Sequence, residues 1–143
     1  MIGIACDHGG YPLKLEIIDY LKERNIDFHD YGCYGEQAVD YPDYAKLCAE
    51  AVIEHICDKG ILLCGTGIGI SIAANRFDGI RCALCHDVFS AKATRLHNDS
   101  NMLAMGGRVI GKGLACEIVD AWLGTDFSRE ERHQRRIDMI ETR

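Results

Sequence analysis

Short apolar runs alternate with longer amphipathic ones along the whole chain. Ile2–Cys6 is an apolar run with strand character, and from Tyr11 to Arg24 the residues Leu13, Ile17, Ile18 and Leu21 recur at helical spacing. Pro12 suits the first turn of that helix, and Asn25 stops it. Ile26–Asp30 is expected as the second strand, followed by a glycine-containing loop, "YGCYGEQAVDYP", ending at Pro42. Tyr44 to Cys57 is predicted helical, with Ala45, Cys48, Ala49, Val52, Ile53 and Ile56 forming one apolar stripe. Gly60–Cys64 is continuous and apolar, the pattern of a strand covered on both faces. Ile70–Arg76 is a short helix and Arg81–Cys85 the fourth strand. A helix from near Asp87 through Leu96, a strand at Met102–Met105 and a helix at Gly111–Leu123 follow. A charged helix from Ser128 to about Ile140 completes the pattern.

Five strands alternating with helices predict an α/β fold, with right-handed crossovers, a mostly parallel sheet and helices on both faces. No repeat, low-complexity segment or linker interrupts residues 1–143, so one domain is expected. In such a sheet ligands bind beyond the carboxyl ends of the strands. The residues there are Asp7 and His8, Cys64 to Gly69, His86 with Asp87, and Gly106 with Arg108.

Composition narrows the function. The net charge of −6 argues against nucleic acid or a membrane surface as partner, but not against a small anionic substrate. No apolar run reaches spanning length, and "MIGIAC" lacks the pattern of a signal peptide, so a cytoplasmic protein is expected. Most of the eight cysteines are then expected to be small buried residues in a reducing compartment. Cys82 and Cys85 have the spacing of a redox or metal pair, but on a strand they point to opposite faces.

The stretch "GILLCGTGIGISIAANR" carries the strongest chemistry. Ile70 stands where a dinucleotide fingerprint has its third glycine, and no Lys-Ser/Thr ending marks a P-loop. What is left is a strand-to-helix turn whose bare amides suit an anion or a developing oxyanion. Cys64, just before it, is either a buried residue ending a strand or a thiolate acting as base or nucleophile. Asp7-His8 can hydrogen-bond a sugar or phosphate, and His97 beside Asn98 is placed for proton transfer. His29, His55 and His86 read as structural. Arg132 and Arg136, four apart, share a helical face that either clamps a phosphate or is merely solvated. No metal-ligand spacing is present, and neither metal nor cofactor is expected.

Taken together, "CDHGG", "DYP", "CGTGIGISIAAN", "RLHNDSNMLAMGGRVIG" and "RHQRR", in this order, resemble the type B ribose-5-phosphate isomerases. Their wider family includes galactose-6-phosphate isomerase subunits. The resemblance covers nearly the whole chain and implies a Rossmann-like three-layer sandwich with a five-stranded parallel sheet. It further implies a homodimer, or a dimer of dimers, with active sites at the dimer interface. Cys64 would move a proton between C1 and C2 of the open-chain sugar, while Thr66 and the amides of Gly65, Gly67, Ile68 and Gly69 hold the enediolate. His97, with Asp7 nearby, would open the furanose ring, and Asn98 would hydrogen-bond the sugar. His8, Arg108, Arg132 and Arg136 would handle hydroxyls and phosphate, and Tyr41 would wall the pocket. The implied substrate is D-ribose 5-phosphate, with allose 6-phosphate as a further candidate. The galactose 6-phosphate relatives tend to lack the cysteine loop or the His97-type residue, and this chain has both. Arg76 replaces a common lysine without touching this chemistry. A binding protein on the same fold would need neither Cys64 nor His97, and a thiol redox enzyme would instead need Cys82 and Cys85.

Overall fold

The structure, a computed structural model, describes residues 1–142. Its strands are β1 (Ile2–Cys6), β2 (Phe28–Asp30), β3 (Lys59–Cys64), β4 (Cys82–Leu84) and β5 (Met102–Gly106). They form one sheet in the order β2-β1-β3-β5-β4, parallel throughout, with Ile4 opposite Ile61 and Ile61 opposite Leu103. The helices are α1 (Tyr11–Glu23), α2 (Tyr41–Ile53), α3 (Ile68–Ala74), α4 (Val88–Asn98), α5 (Lys112–Leu123) and α6 (Glu131–Glu141). Right-handed crossovers decide the layer each connecting helix joins. Steps from β1 to β2 and from β4 to β5 run one way along the sheet, which puts α1 and α4 on one face with α5. Steps from β2 to β3 and from β3 to β4 run the other way, which puts α2 and α3 on the opposite face. The expected three-layer α/β architecture is what forms.

The two faces differ in thickness because strand side chains alternate. Ile4, Ile61, Leu63, Leu103 and Met105 meet Leu13, Ile17, Ile118, Val119 and Trp122 on the α1/α5 side. On the other side the strands offer mostly small residues, and Ala45, Cys48 and Ala49 bring α2 down close. Gly60 sets that spacing: a Cβ there would stand 2.8 Å from Met102 Cε and 2.9 Å from Cys48 Sγ.

Several boundaries move for identifiable reasons. The second helix starts at Tyr41 because Pro42 fits its first turn, where a missing N–H costs nothing. It ends at Ile53, so Ile53 and Ile56 leave the predicted stripe and are 40% and 54% exposed. The second strand is short because Ile26 donates its N–H to Leu21 O, closing α1 instead of pairing. Leu114, expected on an apolar face, is partly exposed, whereas Ile118, Val119 and Trp122 are buried. The last helix begins at Glu131 because Ser128 is tied back to Leu96 O through both its amide and its hydroxyl.

A buried cation was hidden inside the polar side of α1. Lys14 has no exposure, and its ammonium donates to Asp30 Oδ1 at 2.7 Å and to the Cys33 carbonyl. Breaking a buried pair strands the remaining charge, at a cost of about 3 kcal/mol or more. Asp30→Ala is therefore expected to destabilise the fold by about that amount, read as a lowered urea midpoint. Glu50→Ala, which breaks the exposed Lys46–Glu50 pair, is expected to cost less than about 0.5 kcal/mol.

Candidate active site

The sheet presents its chemistry at the carboxyl ends of β1, β3 and β5. Cys64 closes β3 and is 5% exposed, facing the α2/α3 layer. The chain then turns through Gly65 and Thr66 to Gly67, whose φ of +77° is open to glycine at little cost. That turn aims the Gly67 N–H at Cys64 Sγ, 3.0 Å away, while Thr66 Oγ1 accepts the Ile68 N–H at 3.2 Å. The positive end of an amide dipole on the sulfur is the arrangement that holds negative charge there. Burial pushes the thiols of Cys6, Cys48 and Cys82 upward, and that of Cys85 up to about 11.

Two further turns lock onto this one. Gly107 donates its N–H to Cys64 O at 2.8 Å, and Arg108 donates its N–H to Gly65 O at 3.0 Å. The Arg108 stem lies across Gly65, where a Cβ would meet its Cδ at 3.5 Å. From β1, the Gly9 backbone comes so near that a Cβ would stand 2.9 Å from Gly65 N. Asp7 Oδ1 accepts the amides of Gly9 and Gly10 at 2.8 and 3.1 Å, which fixes that turn. His8 Nδ1 accepts the Val39 N–H at 3.2 Å. The Tyr41 ring lies over Gly69, where a Cβ would be 2.6 Å from its Cζ. One chain thus gathers Asp7, His8, Tyr41, Cys64 to Gly69 and Arg108. They surround the point where strand order reverses between β1 and β3, the usual ligand crevice of such sheets.

The other predicted residues gather elsewhere. Helix α4 starts at the carboxyl end of β4 and runs back about 16 Å, at 1.5 Å per residue, toward the strands' amino ends. His97 and Asn98 are in its last turn, at that far end, not beside Asp7. His97 stacks on His133 of α6 with ring centroids 4.5 Å apart. His133 Nε2 lies 3.0 Å from Glu130 Oε2, which also accepts from the Arg132 guanidinium at 3.1 and 3.3 Å. Burial, with His97 and Arg132 adding to it, holds His133 below the usual imidazole range. Arg136 follows Arg132 one turn on, exposed. Asn98 also lines a groove of about 470 Å³ with Arg81, Cys82 and Thr94. The chain therefore carries two half-sets: a cysteine-and-glycine cradle at one end of the sheet, and a histidine–arginine cluster at the other.

Sequence reasoning missed His133 and Glu130. Their spacing of three on a charged helix was the available signal. Cys82 packs into the α2/α3 layer and Cys85 into the α1/α5 layer, so the two do not form a dithiol. All eight cysteines are free thiols.

Residues 2–140 match the family model described as Ribose/Galactose Isomerase. The chain is 50% identical over 139 residues to ribose-5-phosphate isomerase B of Escherichia coli, covering 97% of this chain and 93% of that protein. It is 44% identical over 128 residues to a D-erythrulose-4-phosphate isomerase of Pectobacterium atrosepticum, covering 88% and 84%. The solved structure of Clostridium thermocellum ribose-5-phosphate isomerase B superposes with a TM-score of 0.96 at 51% identity, covering 98% of this chain and 94% of that one. Fold, loop chemistry and similarity along nearly the whole chain agree: the chain belongs to the ribose/galactose isomerase family.

Proposed function

We propose that the protein interconverts D-ribose 5-phosphate and D-ribulose 5-phosphate through an enediolate, with Cys64 as the base. The observation that carries this is the Cys64 sulfur held by the Gly67 amide at the mouth of a glycine turn. Aldose–ketose isomerisation needs a base at carbon and donors for the oxyanion that forms next to it. In the proposed reaction the Cys64 thiolate takes the C2 proton of the open-chain aldose and returns it to C1, while the hydroxyl proton on O2 passes to O1 within the enediolate. The enediolate oxygen is received by Thr66 and by the amides of Gly65, Gly67, Ile68 and Gly69. Asp7, His8, Arg108 and Tyr41 orient the sugar hydroxyls. His97 opens the ring by passing a proton to the ring oxygen, with Asn98 on the sugar and Arg132 and Arg136 on the phosphate.

The two half-sets then have to meet across a homodimer. Placement of His97 and Cys64 at opposite ends of the sheet supports this, because no single chain can close the site. Exposed Ile72 on α3 and Phe89 at the start of α4, 61% and 79% accessible, supply apolar surface for such an interface. The phosphate, far from the reacting carbons, would be held by one subunit while the other positions and deprotonates the sugar end. Free cysteines throughout suit a reducing cytoplasm.

The test is an isomerase assay across four-, five- and six-carbon aldose phosphates. The highest kcat/KM is expected with D-ribose 5-phosphate and a lower one with allose 6-phosphate. A preference for a four-carbon phosphate, as in the name of the Pectobacterium relative, would overturn the assignment. Arg136→Ala is expected to raise KM by about tenfold with little change in kcat, since a phosphate contact acts equally on ground and transition states.

A further inference from the structure

We propose that His86 is a positioning residue for this site, setting the β5 turn that carries Arg108 through a hydrogen bond accepted by its ring. The pairing of β4 with β5 ends at Leu84 and Ala104, and Cys85 adds one more bond, to Ala104 O at 3.1 Å. Gly106 lies beyond that ladder, and its N–H donates to His86 Nε2 at 2.9 Å. A side chain thus extends the ladder by one step, at the height where the cradle begins. Gly106 has no slack on its other sides. It is opposite Cys64 in the sheet, and a Cβ on it would stand 2.7 Å from the Thr66 carbonyl. The next two amides, of Gly107 and Arg108, hold Cys64 O and Gly65 O. Displacing Gly106 therefore moves the backbone of the cradle and the root of Arg108 together.

An accepting Nε2 requires a neutral ring carrying its proton on Nδ1. Burial pushes His86 below the usual imidazole range, and the nearby Asp87 carboxylate opposes this more weakly. Among the described residues Asp87, on its own element, is the charged group acting on the ring, and its carboxylate is engaged by the Ser90 amide and hydroxyl. From β5 the ring faces the Gly106 amide. The bond is therefore intact above the ordinary histidine range and is lost as pH falls through the lowered value. The cradle then loosens on the acid side without titration of any group that touches substrate.

The kinetic part of the test rests on the proposed isomerase activity, so it is paired with a measurement that needs no substrate. His86→Leu is expected to lower kcat/KM by about tenfold. His86→Gln, whose amide oxygen replaces Nε2 as acceptor, is expected to recover to within about threefold of the unsubstituted enzyme, a rescue that space-filling alone would not give. In the unliganded protein the Gly106 amide resonance is expected to titrate with the His86 ring, and to stay fixed over the same range in His86→Gln. A Gly106 resonance indifferent to His86 protonation would overturn the proposal even if no sugar phosphate were isomerised. So would a His86→Gln enzyme no more active than His86→Leu. If His86→Leu does not fold, the glutamine variant and the resonance still decide.

Discussion

Cys64→Ala is expected to lower kcat by at least about a thousandfold, the usual scale for removing a base that acts in the transition state. The fold should survive. The substitution removes one partner of the Gly67 amide, worth about 1 kcal/mol, at a position already small and 5% exposed. For a chain of 143 residues that corresponds to a fall in Tm of about 3 °C. Cys64→Ser separates geometry from basicity, because its hydroxyl can still accept the Gly67 N–H but is a far weaker base. It should therefore melt close to the parent protein yet be nearly as inactive as the alanine variant. Calorimetry and a ribulose 5-phosphate assay on both variants decide the point. Full turnover by Cys64→Ala would leave the cradle without its proposed chemistry.

Much of this was legible in the chain because hydrophobic period and backbone chemistry are local. The two-sided burial of Ile61 to Leu63, the α1 stripe of Leu13, Ile17, Ile18 and Leu21, and the turn after Cys64 all follow from neighbours in sequence. Errors arose where distant residues decide. Ile53 and Ile56 fit a helical period but have no facing layer once α2 ends. Lys14 belongs to the polar pattern of α1, yet Asp30 and the Cys33 carbonyl draw it fully inside. His86 read as structural, and its bond to Gly106 shows that such a residue can still bear on the site. The separation of His97 from Asp7 was least legible. Both precede or follow strands at suggestive places, but α4 extends through Asn98, one helix length away from the carboxyl ends.

That separation makes the sharpest prediction concern mixtures of subunits. In the proposed homodimer, Cys64→Ala disables the cradle and His97→Asn the far cluster, and each variant alone is expected to lose at least about a hundredfold in activity. In a heterodimer of the two, one site receives both substitutions and is doubly disabled. The other pairs an intact Cys64 from one subunit with an intact His97 from its partner. Random subunit exchange makes half the dimers hybrid, and half the sites in each hybrid are whole. The mixture should therefore recover about a quarter of the parent activity, as two-fold symmetry requires of a shared site. Recovery should appear only after conditions that permit exchange, and should scale with the hybrid fraction measured by native mass spectrometry. No recovery in a verified hybrid would mean that Cys64 and His97 of one chain never serve opposite members of a pair, and the two half-sets would need separate explanations.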